Sequence, residues 1–329
     1  MRPPAIAALF GPTGVGKTAV AIALSARLRG RGEDPVAVSA DALQVYAGLE
    51  TLTGVASAGE REQLEHRLVS FVAVDQRFSA GEYAQRAHTE IDGLLNAGRR
   101  PIVVGGTGLY LRAALADLDL RPVPAAGVRE RREAQLAVRG APALHAELAR
   151  RAPARAREVD PRDGRRVVRA LELLDSGEAP SDAASDAAAR PVEAPDDPTA
   201  NAPTSTEAGE SQLWTAHTRH PTVLVGLTMD RGALYERVEA RVDAIVAAGA
   251  VEEVRRADAA GASPTARQAL GFQDLLDGDV EAMKRGTRRY AKRQLTWMRK
   301  LAGVNEIDVT ERDPDDVAEE IGRLLMAGR

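Results

Sequence analysis

Ten residues into the chain stands Gly11-Pro12-Thr13-Gly14-Val15-Gly16-Lys17-Thr18, a glycine, four residues, then Gly-Lys-Thr. Its context constrains the fold more than the motif does. Pro4 to Phe10 is a short apolar run of buried-strand type, and Thr18 to Leu28 is an Ala-rich amphipathic run closing at Gly30. Strand, loop and helix therefore follow in the order that a phosphate loop requires. Glycines let the backbone turn N–H groups inward around an anion, and the new helix adds the positive end of its dipole. Lys17 supplies a point charge, and the Thr18 hydroxyl can sit on a magnesium ion. Gly11, Thr13, Gly14, Val15, Gly16, Lys17 and Thr18 are thus the expected diphosphate cradle.

The rest of the chain mostly alternates strand and helix. Pro35 to Ala40, Leu68 to Val74, Pro101 to Val104 and Thr222 to Thr228 read as further strands. Ser79 to Ala97, Leu109 to Ala116 and Asp230 to Ala248 read as helices. The expected class is α/β: a P-loop NTPase-like parallel sheet flanked by helices. From Arg121 to Ala156 the pattern is Arg, Glu, Ala and Leu at helical spacing without a strand, which predicts a small helical insertion. The expected organisation is core at 1–120, helical insertion at 121–157, core again at 158–175 and 213–329, and a disordered acidic loop at 176–212. That last stretch has no Leu, Ile, Met or aromatic residue, too little apolar surface to offset its ordering entropy.

The same stretch changes the meaning of the net charge. It holds eight acids and one base, so the chain's −4 becomes +3 over the remainder. No apolar run approaches the ~20 residues of a spanning helix, and the short N-terminal run enters the phosphate loop directly, so neither a membrane segment nor a removable signal is expected. With no cysteine, disulfides, thiolate nucleophiles and zinc-thiolate sites are excluded. A monomeric cytoplasmic enzyme is the expectation.

In such a sheet the ligand crevice lies beyond the carboxyl ends of the strands. Asp41, at the end of a strand, has three readings: it holds magnesium through water, caps the run Ala42 to Tyr46, or acts as a general base. Thr107, after Gly105-Gly106, either caps the next helix or meets a ligand. Arg241 shares the spacing of Leu234, Val238 and Ile245, so a guanidinium stands in an apparent core stripe; it meets an anion or marks the stripe's edge.

Between Lys284 and Lys300 there are eight Lys or Arg residues and no acid, and Arg285, Arg288, Arg289, Lys292 and Arg293 share one helical face. Such a run is a solvated face or the footprint of a polyanion, and the missing acids favour the polyanion. Trp297 either stacks on a base or packs the helix. Arg162, Arg165, Arg166 and Arg169 form a second basic cluster.

Taken in order, Gly11 to Thr18, Asp41-Ala42-Leu43-Gln44-Val45-Tyr46, Val104-Gly105-Gly106-Thr107-Gly108-Leu109-Tyr110, Asp160-Pro161 through Arg169-Ala170-Leu171-Glu172 and Lys292-Arg293-Gln294-Leu295-Thr296-Trp297-Met298-Arg299 resemble the bacterial tRNA dimethylallyltransferases. The resemblance implies transfer of a dimethylallyl group from its diphosphate to N6 of the adenosine 3′ of the anticodon, with Mg2+ as cofactor. It makes Asp41 the general base, with Thr107 and Arg241 on the leaving diphosphate and Thr18 and Asp41 on the metal. It puts the anticodon stem-loop of tRNA against Asp41, Ala42, Leu43, Gln44, Arg165, Arg166, Arg169, Gln268, Gly271, Phe272, Lys292, Arg293, Gln294, Thr296, Trp297 and Arg299. The chain departs from the family pattern at Ala42-Leu43, where Ser-Met is usual, at Thr53-Gly54-Val55-Ala56, where Thr-Ala-Lys-Pro is common, and at Phe272, where Tyr is usual. A small-molecule kinase, an RNA-binding ATPase and an adenine-nucleotide prenyltransferase share parts of this pattern.

Overall fold

The structure, a computed structural model, describes residues 5–118, 127–176 and 215–327. The acidic stretch expected to be disordered lies, apart from Ser176, outside the described residues. The chain divides into two units, one of residues 1–118 and 210–329 and one of residues 119–209.

The first unit is built on one six-stranded sheet of β1 (Ile6–Phe10), β2 (Pro35–Ser39), β3 (His66–Arg67), β4 (Arg100–Gly105), β5 (Thr222–Thr228) and β6 (Asn305–Asp308), in the order β3-β2-β4-β1-β5-β6. Every pairing is parallel. Ile6, Ala7, Ala8, Leu9 and Phe10 are all buried, as expected of a central strand covered on both faces. Helices Lys17–Arg29 and Pro314–Ala327 pack together, and Leu24, Leu28, Ile321 and Leu325 share a core with Ala7 and Leu9. Helices Ala80–Asn96 and Gly108–Leu115 pack on each other and on β4. The former begins at a capping box, with Ser79 and Glu82 satisfying each other's backbone N–H groups.

Two strands differ from the sequence expectation. The run Leu68 to Val74 is not a strand: Leu68 (φ 58°) and Ser70 (φ 50°) are left-handed, which breaks the pleat immediately after β3. Its amides turn to the neighbouring loop instead, Ser70 N donating to Gln44 O (2.8 Å) and Phe71 N to Val45 O (2.8 Å). The segment therefore braces the loop that follows β2. β6 went unread because in Asn305-Glu306-Ile307-Asp308 only Ile307 is buried, so an edge strand leaves no apolar run.

The described residues of the second unit, 127–176, are helical and extend past the expected insertion at 121–157. Helix Gly164–Asp175, expected in the core, instead joins helices Val128–Arg139 and Ala141–Arg151. Leu144, Leu148, Val167, Val168 and Leu171 form their shared apolar centre. Arg132, 6% exposed, donates to both oxygens of Asp175 (2.8 and 2.9 Å) and to Glu147 (2.7 Å). These bonds hold the Asp175 and Glu147 carboxyls below their usual range. Both folded values are depressed, so the stabilisation is present above the unfolded values of 3.8 and 4.5 and is lost as pH falls through the folded ones. Arg132→Ala is expected to cost this unit about 2–3 kcal/mol at neutral pH, less than a fully buried pair, and to flatten its acid sensitivity. Hydrogen exchange of the amides in 128–151 against pH checks both.

Candidate active site

Parallel strands deliver their carboxyl ends to one edge of the sheet. Adjacent strands β2, β4, β1 and β5 lead there into Asp41, Thr107, the phosphate loop and the Asp230-capped helix Arg231–Ala247 that carries Arg241. The residues expected to form one site thus converge from four neighbouring strands.

After β1 the chain turns through Gly14 (φ 83°) and Gly16 (φ 98°), both left-handed, a conformation that a side chain would strain. Helix Lys17–Arg29 then starts with no side-chain cap on its first turn. Val15, 1% exposed, anchors the loop in the core. The Lys17 ammonium donates to Gly11 O and Pro12 O, both at 2.9 Å. Burial pushes its pKa down to about 8, the Asp41 carboxylate pulls it back up and the Arg241 guanidinium presses it further down. The three charged groups therefore share one electrostatic neighbourhood.

Asp41 lies in the loop after β2, half-buried. Its Oδ1 accepts from Leu43 N (2.9 Å) and, more weakly, Gln44 N (3.4 Å), so the capping reading describes one oxygen of the carboxylate. Ala42 and Leu43 are half-buried beside it. Gln44 is turned inward: its Oε1 accepts from Ser39 Oγ (2.9 Å) and its Nε2 donates to Gly54 O (3.1 Å).

Thr107 precedes helix Gly108–Leu115, but its side chain makes no capping bond. Its Oγ1 lies 3.4 Å from the Tyr290 hydroxyl. Burial pushes the Tyr290 phenol up to about 12, with Asp41 adding to the shift and Thr107 and Arg293 opposing it. The surrounding glycines are explained by the chain itself: a Cβ on Gly106 would stand 2.3 Å from Gln294 Nε2, and one on Gly108 would stand 2.1 Å from Trp297 Cε3. The sequence reading took these glycines as room for a ligand; the groups that approach Gly106 and Gly108 are instead the side chains of Gln294 and Trp297.

Arg241 sits at the edge of its stripe. The buried positions of its helix are Leu234, Val238 and Val242, so Val242 takes the place expected of Arg241 and Ile245. The guanidinium lies over Gly54, where a Cβ would fall 1.8 Å from Nη2, and it donates a long hydrogen bond to Thr53 O (3.5 Å). Burial lowers its pKa, with Asp41 and Glu60 opposing. The wall it rests on is held by the buried carboxylate of Glu253, which accepts from Thr51 N (2.9 Å) and Leu52 N (2.7 Å).

The basic run is helix Val280–Met298. Several of its charges find acids in the tertiary structure: Arg288 pairs with Glu239, Lys284 with Asp243 (2.8 Å) and Arg285 with Asp279 (3.6 Å). Lys292, Thr296 and Arg299 are exposed, and Arg293 lies over the Tyr290 ring at 5.3 Å. Two of the expected RNA contacts on this helix point elsewhere: Gln294 is buried, and Trp297 packs on Gly108. Phe272 is fully buried, Gly271 lies against Met283, and Gln268 is half-buried in a short turn. In the helical unit, Arg165 and Arg166 are exposed, whereas Arg169 reaches the buried Glu172 (3.3 Å). Sequence reasoning missed Tyr290 and the inward role of Gln294. Their spacing of four, set among the buried Met283, Thr287, Ala291 and Met298, was the available signal.

A central parallel strand feeding a glycine loop and helix places the chain among the phosphate-loop α/β proteins. It belongs to the IPP transferase family, whose model matches residues 44–301. A tRNA dimethylallyltransferase of Thermobifida fusca (strain YX) is 37% identical over 306 residues, covering 90% of this chain and 87% of its own. Another, from Geobacillus thermodenitrificans (strain NG80-2), is 34% identical over 334 residues, covering 97% and 96%. The solved full-length tRNA isopentenylpyrophosphate transferase of Bacillus halodurans superposes with a TM-score of 0.65 at 30% identity, covering 98% of this chain and 96% of that one. A eukaryotic dimethylallyltransferase acting on tRNA reaches a TM-score of 0.71 over 99% of this chain and 80% of its own; at 22% identity it supports the fold alone.

Proposed function

We propose that this chain transfers the dimethylallyl group of dimethylallyl diphosphate to N6 of the adenosine 3′ of a tRNA anticodon. The observation that carries the reading is the meeting of Lys17, Asp41, Thr107 and Arg241 at one sheet edge, in a chain whose 37%-identical relative is a tRNA dimethylallyltransferase.

The bond between the allylic carbon and the diphosphate oxygen breaks, the N6–carbon bond forms, and N6 gives up a proton. An exocyclic adenine amine is a weak nucleophile because its lone pair is delocalised into the ring, so Asp41 takes that proton as the new bond forms. Lys17, the phosphate-loop amides, Arg241 and Thr107 stabilise the charge gathering on the leaving diphosphate. The adenosine leaves its stack to reach the crevice, with Asp41 to Gln44 beside it.

Among the described residues no cluster of three or more His, Cys, Asp or Glu forms a metal site. Mg2+ binds through few protein ligands together with substrate phosphates. Thr18 and Asp41 would hold it, and when bound it neutralises diphosphate charge.

Among the described residues no helix is long and apolar enough to cross a membrane, and the reading takes the chain to act as a cytoplasmic monomer. Arg165, Arg166, Gln268, Lys292, Arg293, Thr296 and Arg299 are the proposed RNA contacts. Replacing Lys292 and Arg299 together by Ala should weaken stem-loop binding and reduce the slope of log affinity against log salt by about 1.5. An unchanged slope would mean that this face meets only solvent.

The functional test is incubation with labelled dimethylallyl diphosphate and an unmodified anticodon stem-loop, with the product nucleoside identified. Label on N6 of that adenosine is expected; tight ATP binding without prenyl transfer would point to a kinase, and AMP outcompeting the stem-loop would point to a free-nucleotide prenyltransferase.

A further inference from the structure

The helix that carries Lys292 and Arg299 outward also carries Gln294 inward, and that side chain is 4% exposed. Its Oε1 accepts from Thr13 N (2.8 Å), in the phosphate loop, and its Nε2 donates to Gly106 O (2.8 Å), in the turn before Thr107. One turn earlier on the same helix, Tyr290 reaches Thr107 itself. We propose that Gln294 is a positioning residue for the diphosphate: it fixes the phosphate loop after β1 against the Thr107 turn after β4, and it makes no contact with RNA. This rests on the prenyl-transfer reading above and adds a role that the sequence had assigned differently.

The chemistry of the amide fits the task. Glutamine carries an acceptor and a donor on one planar fork, whereas glutamate lacks the donor and lysine the acceptor. The bond to Gly106 O is buried and the bond to Thr13 N partly so, so each holds its loop more firmly than an exposed bond would. Gly106 leaves the space this approach needs, because a Cβ there would stand 2.3 Å from Nε2. The bond to Thr13 holds the loop in one arrangement before an anion arrives, which lowers the ordering cost of binding it. It also fixes the loop relative to Thr107, and small errors in such placement cost large factors in rate.

The test compares wild type with Gln294→Met, which keeps the bulk and removes both bonds. Isothermal titration with inorganic diphosphate and magnesium should show affinity lower by about tenfold or more, and KM for dimethylallyl diphosphate should rise in step. Affinity for an anticodon stem-loop, measured without the prenyl donor, should stay within about twofold, as it must if Gln294 meets no RNA. Gly106→Ala, which displaces the amide from the other side, should reproduce the split if Gln294→Met does not fold. Loss of RNA affinity with diphosphate binding intact, or no change in either, overturns the proposal. A wild-type chain that binds neither inorganic diphosphate nor dimethylallyl diphosphate overturns the functional reading first; wild-type binding with unchanged variants overturns this inference alone.

Discussion

Asp41→Asn is expected to reduce prenyl transfer by at least about a hundredfold, the lower end for a lost general base, while diphosphate and stem-loop binding persist. The substitution separates the two readings of this residue. One carboxylate oxygen accepts from Leu43 N and Gln44 N, and an asparagine Oδ1 can keep both bonds, since Asn caps a turn about as well as Asp. The loop should therefore stay in place, with Gln44 still tied to Ser39 and Gly54. An amide cannot take the N6 proton. Single-turnover transfer with both ligands saturating measures the chemical step; an unaltered rate would leave Asp41 as a cap and nothing more. Asp41→Ala is the poorer test, because it removes the two loop bonds as well as the base.

Arg241→Ala should lower kcat by about a hundredfold to a thousandfold, the range seen when a donor to developing charge is removed. Stability should move the other way. The guanidinium is partly buried, makes among the described residues one long bond, to Thr53 O, and is held below its ordinary pKa by burial, so the folded chain bears a cation with little compensation. Removing it is expected to leave the melting temperature unchanged or raise it. A structural arginine would give the reverse, a lower melting temperature with kcat preserved. Arg241→Lys should recover little of the rate, because an ammonium lacks the planar fork that meets two oxygens of a phosphate.

Much of this architecture was legible in the sequence, for reasons that also explain the rest. β1, β2, β4 and β5 are buried strands bounded by turn residues, and Ser79-x-x-Glu82 announces its helix. β6 was hidden because only one of its residues faces inward. The run Leu68 to Val74 has strand composition, but its left-handed Leu68 and Ser70 follow from how it must brace the Gln44–Ala47 loop, which local pattern cannot reveal. Helix Gly164–Asp175 was assigned to the wrong unit because its apolar partners Leu144 and Leu148 lie on a separate helix.

The site shows the same division. Strand-end positions bring Asp41, Thr107 and the phosphate loop to one sheet edge, as their local motifs led one to expect. The run from Lys284 to Lys300 looked free of acids along the chain, yet Glu239 and Asp243 reach it from another helix. The family resemblance implies an RNA contact for Gln294; its burial and its bonds to Thr13 and Gly106 come from tertiary packing that the sequence does not display.

The sheet order has a consequence for biosynthesis. β1 is flanked by β4 and β5, but β5 lies on the far side of the helical unit in sequence. At ribosomal speed, on the order of ten seconds separates emergence of the two neighbours. During that interval one side of a fully apolar strand has no partner within its own polypeptide, an invitation to pair with other chains. A nascent-chain chaperone shielding that edge would be needed most between synthesis of Gly105 and of Thr222, and slowing translation there should raise aggregation rather than relieve it.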